Sequence, residues 1–393
     1  MENSIFKRDV FDKIQTYLGT NNIIVLHGAR QVGKTHILYY INDYLLKRGE
    51  KTHYIDLEDS RYVEILDRGV ESFLSYLKGE GLEGKMHVFI DEIQYLSSPS
   101  PFLKLMVDHY PDIQLIVSGS SSFNIKTKFS DSLVGRTVNF EIYPLSFTEF
   151  LRFKNIKTSL ESRLNSLYKE YMSYGGYPKI VLDDNIKHKE TYLQQIIDTY
   201  IKKDISDLAK IKDTKKFNDL LKILASQSGQ LVSVQNLSNT CGLASQTISN
   251  YLEILEETYI LRLITPFSTS AKVEVAKAPK VFFYDTGILQ MLWLRKLQSE
   301  NIGNIFETSV FSELTKKFGT SHINYWRNKN ANEIDFILQK DGEIVPIEAK
   351  YNFSQFRQSK IVPFLKKYKI KNFYVIGLLG KRDKTFQKLP WEI

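Results

Sequence analysis

The chain holds one cysteine, Cys241, among 393 residues. No internal disulfide can form, and a structural zinc site built on cysteines has almost no material. No disulfide-linked partner is expected, and so little cysteine suits a reducing compartment, so the protein is expected to be cytoplasmic. Seven histidines are scattered without metal-ligand spacing. No run approaches the roughly 18 apolar residues of a membrane-crossing helix. The longest candidates, Ile23–Leu26 and Tyr374–Leu379, are strand-sized, so no membrane partner is expected. The start, Met1 to Asp9, scatters charges where a secretory signal needs an apolar core. There is no internal repeat and no low-complexity tract. Hydrophobic residues at 42% and charged residues at 25% are ordinary globular proportions, which excludes wholesale disorder. The net charge of +8 permits nucleic acid as a partner without demanding it.

The length points to about two or three domains. Short apolar runs alternate with helical patterns over the first 150 residues. They are Ile23–His27, His53–Leu57, Met86–Ile90, Ile113–Val117 and Val138–Tyr143, rich in Val and Ile. Such runs read as strands buried on both faces of a parallel, doubly wound α/β sheet. From 147 to 228 the pattern is helical, with Leu160–Tyr174, Tyr192–Leu208 and Thr214–Ser226 broken at Gly175-Gly176-Tyr177-Pro178 and Gly229. Lys202, Lys203, Lys210, Lys212, Lys215 and Lys216 fall here, as a solvated face or a phosphate contact. Next come two helices, Val234–Thr240 and Ser245–Glu257, around the turn Cys241-Gly242-Leu243. Strands at Tyr259–Ile264 and Lys280–Tyr284 follow, and this order describes a winged helix-turn-helix. Its second helix opens with Ser245, Gln246 and Thr247, suited to base edges, and Lys272, Lys277 and Lys280 are expected to meet DNA phosphates. Cys241 reads as a core residue. The expected domains are 1–146, 147–229, 230–285 and 286–393.

Gly28-Ala29-Arg30-Gln31-Val32-Gly33-Lys34-Thr35 fits G-x-x-x-x-G-K-[ST], with a strand before it and a helix after it. The glycines let backbone N–H groups curl around a triphosphate, and the helix N-terminus adds its positive dipole end. Lys34 is expected to reach the β- and γ-phosphates and Thr35 to ligate Mg²⁺. Met86–Ile90 ends in Asp91-Glu92. Asp91 is placed to hold Mg²⁺ through water, and Glu92 to deprotonate the attacking water. The strand Ile113–Val117 ends in Ser118-Gly119-Ser120-Ser121, and either Ser118 or Ser120 is suited to sense the γ-phosphate. Arg136 reads either as a surface arginine or as a finger acting in trans on a neighbouring subunit's ATP, which would require self-association.

These residues resemble an AAA+-type ATPase, whose strand order is 5-1-4-3-2. The likeness extends through Ser132-Leu133-Val134-Gly135-Arg136, Pro144-Leu145-Ser146-Phe147, Gly175-Gly176-Tyr177-Pro178 and Phe283-Tyr284-Asp285-Thr286-Gly287. Together these look like the prokaryotic and archaeal ATPases that carry a C-terminal domain of unknown function. The resemblance implies ATP rather than GTP, and no guanine-reading Asn/Thr-Lys-x-Asp element is found.

From Phe306 the order is helix, three strands, helix, strand. The elements are Phe306–Phe318, Ile323–Arg327, Glu333–Gln339, Ile344–Ala349, Ser354–Lys367 and Asn372–Leu378. Glu348 and Lys350 are two apart on a strand and share a face, and Asp335 lies on the neighbouring strand. Two carboxylates so placed are expected to hold Mg²⁺ or Mn²⁺, with Lys350 beside the attacking water. The arrangement resembles the PD-(D/E)xK fold of restriction-endonuclease-like domains. That likeness implies Asp335, Glu348 and Lys350 as the core motif and Glu307 as the acid on the first helix, with Ile334 in place of the motif's proline. Tyr325-Trp326 is a candidate for base stacking.

The sequence therefore reads as an ATPase with ATP and Mg²⁺ as cofactors. It has a helical lid, a winged helix and a nuclease-like domain, and it couples its cycle to DNA, with or without metal-dependent nucleolysis. The alternative is a nucleotide-gated signalling or protein-interaction switch with a non-catalytic C-terminal domain.

Overall fold

The apolar runs Ile23–Gly28 (β1), Met86–Asp91 (β3) and Ile113–Gly119 (β4) are almost entirely buried along their length. Thr52–Asp56 (β2) and Thr137–Ile142 (β5) are half-exposed and more polar. That contrast sorts centre from edge: the parallel sheet runs β2-β3-β4-β1-β5, the expected 5-1-4-3-2. This is the structure of a computed structural model, and it describes residues 5–119, 133–205, 211, 213–268, 278–297, 303–330 and 332–393, without the side chains of 202–204. Helix α1, Lys34–Leu46, follows β1. Helices α2 (Ser60–Asp67), α3 (Val70–Gly79) and α4 (Pro99–His109) complete the layers. Phe73 and Phe102 meet edge to face at 5.5 Å in their core. Among the described residues no helix is long and apolar enough to cross a membrane.

The chain divides into two compact units, Met1–Tyr143 and Pro144–Ile393. The second opens with helices α5 (Phe147–Phe153), α6 (Glu161–Tyr174), α7 (Pro178–Leu182) and α8 (Ile186–Ile196), the last running on as a π-helix over Ile197–Asp204. A Ser146–Glu149 capping box starts α5. Then come α9 (Thr214–Ser226), α10 (Val234–Cys241), α11 (Ser245–Glu257) and the antiparallel strands β6 (Leu261–Ile264) and β7 (Lys280–Phe283). Helix α12, Thr286–Leu294, is buried all round, as its continuous apolar sequence requires.

Helix α13 (Gly303–Phe318) leads to strands β8 (Ile323–Arg327), β9 (Glu333–Lys340) and β10 (Glu343–Ala349). Helix α14 is Gln358–Tyr368, later than expected because Phe353–Gln355 forms a separate 3₁₀ turn. Strand β11 (Tyr374–Ile376) runs parallel to β10, and a two-residue strand absent from the sequence reading, β12 (Gln387–Lys388), closes the sheet. Beyond β6, Pro266 bridges to Tyr325 of β8. Phe282 of β7 stacks on Phe311 at 4.7 Å and meets Phe336 at 5.3 Å. The hairpin thus shares a core with the C-terminal sheet. The expected border at 285/286 is crossed by a helix cap, because the Asp285 carboxylate accepts from the Ile288 N–H at 3.0 Å.

Three of the motifs that carry the resemblance converge in this unit. Asp285 Oδ2 accepts from the Gly176 N–H at 2.7 Å, and the Leu145 N–H donates to the Gly176 carbonyl at 2.7 Å. Gly175 has φ +81°, and a Cβ there would lie 2.3 Å from Asp285 Oδ1. These motifs build a packed joint.

Candidate nucleotide site and C-terminal acid cluster

The P-loop spans the turn from β1 into α1. Gly28 passes so close to β5 that a Cβ would sit 2.1 Å from the Ile142 carbonyl oxygen, so no side chain fits. Ala29 and Val32 are buried and anchor the loop, while Arg30 and Gln31 face solvent. Gly33 precedes α1 in the left-handed region. Lys34 is 6% exposed, and its ammonium donates to the Gly28 and Ala29 carbonyls at 3.1 and 2.8 Å. Burial pulls its pKa down to about 8, against the opposing pull of Glu92 and Asp91.

Strand β3 delivers Asp91 into a ring of donors. Thr35 Oγ1 donates to Asp91 Oδ2 at 2.7 Å, Tyr54 Oη to the same oxygen at 2.9 Å, and the Glu92 N–H to Oδ1 at 3.1 Å. Ser118 Oγ donates to Oδ1, so Ser118 is the serine that joins the acid; Ser120 lies outside the described residues. Tyr54 was not legible as a site residue. Burial, then the Asp91 charge, pushes its hydroxyl pKa well up, so it stays a donor. Glu92 holds φ +55° and ψ +47°, a left-handed conformation that costs a non-glycine residue about 1–3 kcal/mol. Its carboxylate accepts from Gln94 Nε2. Thr35 and Asp91 are the oxygen donors that Mg²⁺ prefers, and the loop's shape and ammonium suit a triphosphate.

Arg136 is not near this site in its own chain. Its carbonyl accepts from the Ile23 N–H at the start of β1, whereas the P-loop follows the end of that strand. Its guanidinium pairs with Asp108 at 2.6 and 3.1 Å. A different arginine reaches the loop. Arg8, 6% exposed, donates to the Val32 carbonyl and the Tyr143 carbonyl, each at 2.8 Å, and so fastens the P-loop to the end of β5. No local pattern around Arg8 signals that role.

In the second unit, the Ile347–Phe336 pair of β10 and β9 sets Glu348 beside Asp335. Lys350 does not stand apart beside a water position. Its ammonium contacts Asp335 Oδ2 at 2.5 Å and Glu348 Oε2 at 2.6 Å. Glu348 Oε1 is buried without a hydrogen-bond partner. Glu307, the expected metal ligand on α13, instead accepts from Lys280 at 3.2 Å, and Lys280 also contacts Glu333 at 2.6 Å. Lys280 was expected on DNA phosphates; it is 2% exposed and sits inside this cluster, because β7 is packed between α13 and the hairpin core. Burial raises Glu307 to about 7 and Glu348 to about 8. Among the described residues no three acids, histidines or cysteines form a metal-holding group. Tyr325 and Trp326, candidates for base stacking, are buried at 1% and 5% exposure. Cys241 is buried, as expected.

The helix pair keeps a polar outer face. Gln246, Ser249 and Asn250 on α11 are exposed, as are Gln235, Asn236, Asn239 and Thr240 on α10. Lys215 and Lys222 on α9 are exposed nearby, and the half-buried Lys216 donates through its ammonium to the Gly242 carbonyl in the inter-helix turn at 2.8 Å. Lys210, Lys212, Lys272 and Lys277 lie outside the described residues.

Residues 20–151 match the AAA domain family. Residues 165–301 and 302–389 match two domains of unknown function, DUF8612 and DUF4143. An uncharacterised protein of Haemophilus influenzae is 30% identical over 361 residues, covering 89% of this chain and 88% of its own. One from Methanocaldococcus jannaschii is 28% identical, covering 83% and 74%. Among solved structures, AMPPCP-bound DnaA from Aquifex aeolicus is similar at 15% identity and a TM-score of 0.35, covering 63% of this chain and 87% of that one.

Proposed function

This chain belongs to one family with its Haemophilus influenzae relative, and from that premise and its AAA domain we propose that it hydrolyses ATP and couples the cycle to duplex DNA. The observation that carries the first half is the 2.7 Å contact of Thr35 with Asp91, set on a P-loop with Glu92 next in the chain. Magnesium-bound ATP would supply the phosphoanhydride. Thr35 would hold the ion directly and Asp91 through water. Lys34 neutralises phosphate charge, and Glu92 takes the proton of the attacking water. Ser118 orients Asp91, and Gln94 orients Glu92. Lys34→Ala is expected to lose nucleotide binding. Glu92→Gln is expected to keep binding and slow turnover by roughly 10²–10⁴, and unchanged turnover would remove Glu92 from the mechanism.

The DNA half rests on the order α9-α10-α11-β6-β7 and the polar first turns of α11. This supports a winged helix-turn-helix that lays α11 in a major groove, with Lys215, Lys216 and Lys222 near the backbone. ATPase assays with and without duplex DNA test the coupling. No complex in a low-salt duplex titration would favour the rival reading, in which this unit serves as a lid or protein contact. Nucleolysis is not part of the proposal, because Lys350 is committed to both carboxylates and a second lysine fills the cluster.

A further inference from the structure

Between Glu348 and Asp383 the chain has no acidic residue and nine basic ones. The net charge of the whole protein is +8, so everything outside this stretch is close to neutral. Lys350 belongs to the acid cluster, and Arg382 pairs with Glu392 and Glu161. Six of the others gather on one element and its exit. Arg357 holds the N-cap position of α14, Lys360, Lys366 and Lys367 lie on the helix, and Lys369 and Lys371 follow it. All six are exposed. Lys360 and Lys367 are seven apart, so they share a side of the helix about 10 Å apart along its axis. Exposed cations elsewhere, such as Lys47 and Arg68, pair with an acid one turn away. Among the described residues none of these five lysines is paired with a carboxylate.

Helix stability does not call for this pattern. The macrodipole favours Lys366 and Lys367 in the last turn, but it disfavours Arg357 and Lys360 at the positive end. A lipid surface does not call for it either. The apolar side of α14 is taken up by the core, where Ile361 and Phe364 are buried, so no apolar face is left to enter a bilayer. The rings of Phe364 and Tyr368 meet Phe267, just past β6, at 5.7 and 5.2 Å. Helix α14 therefore lies at the root of the β6–β7 connection, the wing of the proposed winged helix. We infer that α14 and the link after it form a second phosphate-binding face, beside that wing, which holds the backbone of a DNA duplex without reading its sequence. Duplex DNA carries one negative charge per about 1.7 Å of axis, and lysines meet it as point charges. The inference rests on the duplex reading of the proposed function and adds to it a contact in the C-terminal domain.

Fluorescence anisotropy of a labelled duplex titrated with the full-length chain, over a range of salt, tests it. Lys360, Lys366, Lys367 and Lys371 are changed together to Gln. A control with the same loss of charge changes Lys13, Lys78, Lys85 and Lys104 of the first unit, also exposed, to Gln. The α14 variant is expected to keep its melting temperature and its nucleotide binding. It should bind duplexes of unrelated sequence roughly tenfold or more weaker, and lose about two to four from the slope of log affinity against log salt. The control should lose less than about one. Should the fourfold variant lose stability, Lys367→Gln with Lys371→Gln reads the same effect as a slope loss of about one to two. Equal losses in the α14 variant and the control would overturn the inference and leave the α11 reading in place. A third variant, Gln246→Ala/Asn250→Ala, separates the two the other way. If it binds as the wild type does while the α14 variant fails, the α14 face stands and the α11 reading falls. A wild type that forms no duplex complex at low salt would overturn both.

Discussion

Lys34 combines two demands that conflict. It must be charged to meet phosphate, yet burial holds its pKa near 8 in the nucleotide-free protein. Phosphate binding fixes the charged form, so above pH 8 each binding event must take up a proton. ATP affinity is expected to be flat below pH 8 and to fall by up to about tenfold per pH unit above it. Calorimetry between pH 7 and 9 checks this; a flat profile would show that Lys34 is already charged throughout. Gly28 has a steric demand instead. Gly28→Ala would press a methyl into the Ile142 carbonyl, and a loss of about 3 kcal/mol is expected in denaturant titration. The P-loop was legible because its chemistry lies in eight consecutive residues. Tyr54 and Arg8 were not, because only the tertiary fold brings β2 and the N-terminal segment to Asp91 and Val32.

At the scale of elements, the motif order that specified the resemblance marks a joint. Asp285 caps α12 and holds Gly176, and Gly175 leaves room for its carboxylate. Gly175→Ala combines a positive φ with a 2.3 Å clash. It is expected to destabilise the second unit by about 3 kcal/mol or more while leaving nucleotide binding at the P-loop intact. The C-terminal sheet was legible from its period of two, which placed Asp335 and Glu348 together. That a second lysine would pair with Glu307 and Glu333 beside them was not, because Lys280 arrives from a strand whose sequence, Lys-Val-Phe-Phe, reads as an ordinary basic start to a hairpin. Of the three lysines expected on DNA phosphates only Lys280 lies among the described residues, and its place differs for the same reason: a lysine at a strand start is usually exposed, and only packing of Phe282 against Phe311 draws this one inside.

For the whole molecule, the acid cluster sets a pH dependence. Glu307 near 7 and Glu348 near 8 keep protons in the folded state that an unfolded chain releases around pH 4.5. Their stabilising contribution is complete below about 4.5 and is lost as pH rises through 7 to 8. Urea unfolding is expected to show stability declining across that window, and Glu348→Gln to flatten the slope and raise stability at pH 8. DNA binding should weaken with salt, and removing Lys215 and Lys222 together should shrink the slope by about two counterions at most. The Arg8 contacts have a practical consequence for dissection. The AAA domain match begins at residue 20, yet a guanidinium twelve positions earlier ties down the phosphate loop. A fragment cut at that border would keep every motif residue and lose the tether. It is expected to bind ATP more weakly than a fragment starting at residue 5, with a lower melting temperature, and Arg8→Ala in the full chain should reproduce both defects.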